Sequence, residues 1–422
     1  MKKIIKPKEF INGVISLPGD KSLAHRALIL GAISSGRTKI KNFPFSKTCM
    51  YTLNCLKNLG VDIKISSGNV IINGKGIHGL SKSNKILNAG TSATTLRLLM
   101  GLLAAQNFPS KIKCTGSLKS RPMDRVINPL RKMGANIVHG ENFEIFPSNF
   151  SAINYKMPIA SAQVKSAIIL AGLYCNDTVQ IIEPIKSRDH TEHMINYFGG
   201  DIKFDANKIL VGAKQNLSGK NIELACDVSN AAFFIVLATV FPKAHLILNN
   251  ILVNPRRIGF INVLKKMGAN IKFINQRKIY EGEWVADIEI KSARLHAIEI
   301  CTQTIVDMID EVPAFVVAAL FADGTSIIKD AGELHFKESD RINCLCEEFN
   351  RIGAKIKPTD DGMIIESGFD YKFTSAFSHN DHRIAMALVI FALAIKNKLV
   401  VYDVECIADS FVTFFDYVEN FF

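Results

Sequence analysis

The chain has 422 residues, 48% of them apolar and 21% charged, with a formal net charge of +12. That is more chain than one hydrophobic core usually holds, so at least two domains are expected, with the composition of a soluble globular protein. The basic residues are spread along the whole sequence, without an Arg-rich block or basic–aromatic interleaving, which argues against a nucleic-acid binder and leaves a Lys-rich surface or small anionic substrates.

No membrane or secretory segment is expected. The longest apolar run, Ile384 to Ile395, has twelve residues between Arg383 and Lys396, too short to cross a bilayer. The start, MKKIIKPKEF, lacks the apolar stretch and cleavage site of a secretion signal. Nine cysteines without a CxxC pair read as buried thiols of a reducing cytosol.

Two patterns alternate along the chain. The first is a helix that opens on a polar cluster and is otherwise almost wholly apolar, as buried helices are. In chain order these are GDKSLAHRALILGAI (19–33), GTSATTLRLLMGLLA (90–104), SAQVKSAIILAGL (161–173), DVSNAAFFIVLA (227–238), DMIDEVPAFVVAALFA (307–322) and SHNDHRIAMALVIFALA (378–394). The second is an amphipathic helix stopped by glycine and running into a strand: LKNLGVDIK (56–64), LRKMGANIV (130–138), INYFGGDIK (195–203), LKKMGANIK (264–272) and FNRIGAKIK (349–357). The stop glycines lie 74, 65, 69 and 85 residues apart, and VIIN (70–73), HLILNNI (245–251) and KLVVYDV (398–404) fit as strands between helices. Two patterns with one period predict six α/β units of roughly 70 residues, divided into two three-unit domains.

The polar clusters carry residues that packing does not need. Lys21 and Ser22 stand at a helix start, where backbone N–H groups are unpaired, and Arg26 falls on the same face. A cation, a hydroxyl and free N–H groups suit a phosphate or carboxylate. Arg121 precedes Pro122 and is therefore expected in an extended or turn segment ahead of the next helix. SAQVKS offers Ser161, Gln163 and Lys165; DMIDEVP crowds Asp307, Asp310 and Glu311, an arrangement suited to proton transfer, though ordinary helix capping explains it as well. FKESDR supplies Lys337, Glu338, Asp340 and Arg341, and HNDHR supplies His382 and Arg383. Three arginines, Arg121, Arg341 and Arg383, could grip anionic groups bidentately. HTEH (190–193) and HNDH (379–382) look metal-like but lack further ligands at recognisable spacing, so structural histidines are favoured. No GxGxxG or Walker sequence supports a dinucleotide or ATP site.

Together GDKSLAHR, the Arg121 segment, SAQVKS, DMIDEVPA, FKESDR and NDHR, in this order from about residue 12 to the C-terminus, resemble the 5-enolpyruvylshikimate-3-phosphate (EPSP) synthases. SAQVKSA and SRDHTE (187–192) resemble the bacterial branch with glyphosate-tolerant members. The resemblance implies an inside-out α/β barrel of two domains, each of three βαβαββ-type repeats. Residues 1–19 with 226–422 would form a discontinuous domain and 20–225 an inserted one, with the active site in the cleft between them. It implies transfer of the carboxyvinyl group of phosphoenolpyruvate to the 5-hydroxyl of shikimate 3-phosphate, releasing phosphate, without metal or organic cofactor, in the pathway to chorismate and the aromatic amino acids.

By motif position the resemblance assigns Lys21, Ser22, Arg26, Ser161, Ala162, Gln163 and Lys337 to shikimate 3-phosphate, with Arg188 beside them. Arg121, Arg341 and Arg383 go to phosphoenolpyruvate, which Lys21 also reaches. Asp310 would take the 5-hydroxyl proton and Glu338 would handle protons at the methylene carbon, with Lys21 counted as the third catalytic group. The chain departs from the family in two places. Thr91 stands at the usual Asn of the GNAGT-type turn and Ala93 at its second Gly, where a methyl should crowd glyphosate; Asp409 replaces a lysine near the C-terminus. The sister UDP-N-acetylglucosamine enolpyruvyl transferases share the fold but have Lys-Asn where this chain has Lys21-Ser22, and a loop cysteine where Cys114 lies in a strand-like KIKCT. A cytoplasmic monomer acting on small molecules, without nucleic-acid or membrane partners, is expected.

Overall fold

The computed structural model describes residues 1–280, 282–372 and 375–420. The chain falls into two compact units. Unit 1 comprises Met1–Pro18, Ala225–Arg277 and Trp284–Phe422; unit 2 comprises Gly19–Leu224 with Lys278–Glu283. The chain passes from one unit to the other at Pro18/Gly19 and again at Leu224/Ala225, and Lys278–Glu283 makes a short return into unit 2.

Among the described residues one arrangement recurs in six main sheets, three to a unit: a parallel pair of strands extended by antiparallel ones. Leu87–Gly90 and Ser110–Cys114 form such a parallel pair, followed antiparallel by Phe143–Phe146 and then Asn136–His139. The six apolar helices are α1 (Lys21–Ala32), α2 (Ala93–Ala104), α3 (Ala162–Gly172), α4 (Val228–Val240), α5 (Val312–Leu320) and α6 (His382–Ala394). Most lie in the crossover between the two parallel strands of a sheet. Two sheets take one strand of their parallel pair from far along the chain. Asn12–Ser16 joins the His245–Leu252 sheet of unit 1, and Asn221–Glu223 joins the Ser35–Lys41 sheet of unit 2. The sixth sheet departs from the expected repeat: it has three strands, one of them the N-terminal Lys2–Ile5.

The second helix of the first five repeats ends alike. Gly60, Gly134, Gly199, Gly268 and Gly353 all have φ between 84° and 104°, a left-handed turn that side chains resist. At Gly60 the amide returns to Lys57 O at 3.0 Å and Val61 N to Leu56 O at 3.2 Å, closing the last turn and releasing the chain into Asp62–Ser66.

The apolar helices are buried almost completely. In unit 1, Phe391 of α6 packs edge-on against Phe349 and Phe369, ring centroids 5.5 and 5.1 Å apart. In unit 2, α2 and α3 touch at Gly101, where any Cβ would stand 2.1 Å from Ala167 O. That contact brings the polar starts of α2 and α3 side by side.

Candidate active site

Unit 2 gathers three helix starts. Asp20 caps α1, accepting from Leu23 N at 2.9 Å; Lys21 and Ser22 follow as the first two helical residues, both half-buried. Arg26, one turn on, is 5% exposed. Its Nη1 donates to Ser22 O (2.9 Å), Nη2 to Ser166 Oγ (2.8 Å) and Nε to Thr191 Oγ1 (2.6 Å). The guanidinium is therefore locked to α3 and to the first turn of the helix His190–Tyr197.

Ser92 caps α2 through Thr95 N at 3.1 Å, which places Thr91 just ahead of the helix and Ala93 at its first residue. A hydroxyl chain ties this start to α1: Thr95 Oγ1 bonds Ser92 Oγ and Thr52 Oγ1, and Thr52 meets His25 Nδ1, each at 2.7 Å. Burial, with the charges of Arg26 and Lys21, lowers the His25 pKa to about 3, so its ring is neutral.

Ser161 caps α3 through Val164 N (3.4 Å), so its hydroxyl serves the helix; Ala162 follows. Gln163 joins the α2 and α3 starts: Arg97 Nη1 donates to its Oε1 at 2.5 Å, and its Nε2 donates to Thr94 Oγ1 at 2.9 Å. Arg121, 9% exposed, follows a short helical turn with φ −72° and ψ 143°, the extended backbone expected before proline. Arg188 is half-buried. Lys165 is buried entirely, away from the polar start to which its motif seemed to assign it.

Unit 1 holds the second cluster, built on Arg341, the first residue of the helix Arg341–Arg351. The side chain is 1% exposed. Nε meets Asp381 Oδ2 at 2.7 Å, Nη2 meets Glu338 Oε2 at 2.6 Å, and Nη1 lies 3.7 Å from Asp310 Oδ1. Lys337 Nζ stands 4.0 Å from the same Asp310 oxygen. One guanidinium thus organises three carboxylates, two of them, Asp310 and Glu338, still partly exposed. Asp381 also caps α6 through Arg383 N at 2.8 Å, setting Arg383 beside this group at 5% exposure.

The acids of DMIDEVP are separated: Asp307 pairs with Arg256 at 3.5 Å, Asp310 joins the Arg341 cluster, and Glu311 accepts from Ser229 Oγ. They do not share one site. The histidines of HTEH make structural contacts: His190 Nδ1 lies 2.5 Å from Glu283 Oε1, and His193 packs edge-on against Phe204. Glu347, Glu348 and His379 approach one another, but Arg351 already bridges both carboxylates at 3.0 and 3.3 Å. Cys114 ends the strand Ser110–Cys114, buried, and burial raises its thiol pKa, unlike an activated loop cysteine.

The six-repeat α/β fold, with cationic helix starts in one unit and carboxylates set on arginine in the other, is that of the enolpyruvyl transferases. The enolpyruvyl transferase NikO from Streptomyces tendae shares that fold at 12% identity, with a TM-score of 0.76 over 98% of this chain and 96% of that one. The EPSP synthase of Acinetobacter baumannii superposes with a TM-score of 0.87 at 38% identity, covering 98% and 97% of the two chains. The 3-phosphoshikimate 1-carboxyvinyltransferase of Thermoanaerobacter sp. (strain X514) is 47% identical over 415 residues, 97% of this chain and 98% of that protein. The family model for EPSP synthase (3-phosphoshikimate 1-carboxyvinyltransferase) matches residues 5–418, and the chain belongs to that family. It transfers the enolpyruvyl group of phosphoenolpyruvate to shikimate 3-phosphate in the shikimate pathway.

Proposed function

We propose that the two clusters divide the reaction between them. Lys21, Ser22, Arg26, Ser161, Ala162, Gln163 and Arg188 of unit 2 serve shikimate 3-phosphate, joined by Lys337 of unit 1. Arg341 and Arg383 of unit 1, with Arg121 and Lys21 of unit 2, serve phosphoenolpyruvate. Asp310 accepts the proton of the 5-hydroxyl as its oxygen attacks C2 of phosphoenolpyruvate, while Glu338 delivers a proton to the C3 methylene. The resulting tetrahedral intermediate then loses the C3 proton and expels phosphate, restoring the vinyl group. Lys21 offsets charge as the phosphate leaves.

The observation that carries this reading is the Arg341 cluster. A fully buried guanidinium holds Glu338 at 2.6 Å and approaches Asp310 at 3.7 Å. Two carboxylates that keep solvent access, fixed on one cation, are groups that can exchange protons at defined positions. The helix starts of unit 2 supply the complementary need, donors and cations for a phosphate.

The test is phosphate release by purified protein with phosphoenolpyruvate and shikimate 3-phosphate, with UDP-N-acetylglucosamine as the control acceptor. Release only with shikimate 3-phosphate, lost in Lys21→Ala and reduced by roughly 10²–10⁴ in Asp310→Asn, supports the assignment. Full turnover in Asp310→Asn removes it. The protein is proposed to act as a monomer in the cytoplasm. Among the described residues no helix is long and apolar enough to cross a membrane.

A further inference from the structure

Helix α3 is apolar almost all round, yet Lys165 lies within it at 0% exposure. An ammonium removed from water needs anionic partners. Lys165 Nζ has two, Glu183 Oε2 and Glu192 Oε1, each at 2.8 Å and each on a carboxylate 1% exposed. Burial alone lowers the lysine pKa, but the two carboxylates outweigh it and the net shift is upward, so the group stays charged.

Such a triad is a poor way to gain stability. Apolar groups of the same volume usually do as well or better. What the triad does supply is geometry. Glu183 Oε1 accepts from Ser187 N at 3.3 Å and from the Ser187 hydroxyl, anchoring the residue before Arg188. Glu192 follows Thr191, whose hydroxyl meets Ser166 Oγ at 2.6 Å and accepts from Arg26 Nε at 2.6 Å. Ser166 follows Lys165 and accepts from Arg26 Nη2 at 2.8 Å. The ion triad and the Arg26 hydrogen bonds therefore join the same two stretches of chain at adjacent residues.

We propose that Lys165, Glu183 and Glu192 are positioning residues for shikimate 3-phosphate, the buried triad holding the start of α3 and the Ser187–Glu192 segment at the one spacing that aims Arg26, Gln163 and Arg188. The inference rests on the assignment of those three residues to that substrate.

Four variants of the full chain test it, with shikimate 3-phosphate affinity measured by calorimetry in the absence of phosphoenolpyruvate. Glu192→Asp keeps the charge but shortens the arm. The triple variant Lys165→Met, Glu183→Gln, Glu192→Gln keeps volume and fold while removing the ions. Both are expected to weaken shikimate 3-phosphate binding by roughly tenfold or more, as small displacements of positioned groups do, while the KM for phosphoenolpyruvate stays within about twofold; Glu192→Gln, of native length, is expected to bind nearly as the parent does. Parental affinity in both Glu192→Asp and the triple variant, or equal increases in KM for the two substrates, overturns the proposal. Gln163→Ala separates it from the assignment beneath: unchanged affinity there overturns that assignment, whereas weakened affinity there with parental affinity in Glu192→Asp overturns the triad's role alone.

Discussion

The carboxylate of Asp381 holds the guanidinium of Arg341 by two edges, Nε 2.7 Å from Oδ2 and Nη2 3.3 Å from Oδ1. The fork that the sequence offered as a grip for substrate is thus closed on the protein itself, and Nη1 is the edge nearest Asp310. Asp381 is wholly buried and also caps α6, so one carboxylate sets both Arg341 and the start of the helix bearing Arg383. The cluster is an arginine that arranges acids by Nε and Nη2, and the proposed grip on phosphoenolpyruvate falls to its Nη1 edge, which makes no hydrogen bond among the described residues.

Asp381 is therefore expected to matter to the fold as much as to turnover. Asp381→Ala leaves a buried guanidinium without its main partner and removes a helix cap, a loss of about 3–5 kcal/mol. Asp381→Asn keeps the cap and part of the hydrogen bonding and should lose less. Urea unfolding of the two variants checks the order; equal stability of parent and Asp381→Ala contradicts it.

Ala93 is the first residue of α2 and 8% exposed, at the polar helix start that adjoins Gln163 through Thr94. Its methyl is expected to exclude glyphosate while sparing the shorter phosphoenolpyruvate. Ala93→Gly should lower the glyphosate inhibition constant by roughly tenfold or more, the scale set by one methyl group in a tight site. A sub-micromolar constant for the parent, unimproved by the change, contradicts this.

The regular parts of the molecule were legible because each has a local cause. The five stop glycines sit at positive φ, and polar clusters open all six apolar helices, since chain ends of helices demand donors, acceptors and turns whatever they pack against. The irregular parts depend on residues distant in sequence. Asn221–Glu223 completes a sheet with Ser35–Lys41, which no local pattern announces. Lys165 lies in a motif with Ser161 and Gln163, yet points to Glu183 and Glu192; a lone cation inside the apolar run VKSAIILAGL was the signal, but its partners were not. Asp307, Asp310 and Glu311 look crowded along the chain because spacing says nothing of the cations and hydroxyl that separate them.

Asp409, half-buried at the end of the short helix Val404–Asp409, stands where the resemblance drawn from the sequence leads one to expect a lysine. Asp409→Lys is expected to lower the KM for phosphoenolpyruvate by roughly fivefold, the worth of one partly exposed ion pair, with less change for shikimate 3-phosphate. An unchanged KM means that the side chain points elsewhere.

The neutral ring of His25 gives unit 2 a defined acid sensitivity. Burial first, then the charges of Arg26 and Lys21, bring its pKa from 6.5 to about 3. The unfolded chain takes up a proton near pH 6.5 and the folded chain does not, so the contribution is complete above pH 6.5 and declines as the pH falls toward 3. Each pH unit in that window costs about 1.4 kcal/mol, or about 3 kcal/mol at pH 4.5. His25→Gln keeps a polar partner for Thr52 and has no proton to gain. Its unfolding free energy should therefore fall less than the parent's between pH 7 and 4.5, by about that amount, in urea titrations at the two pH values. Parallel declines in parent and variant would assign the acid sensitivity to other groups.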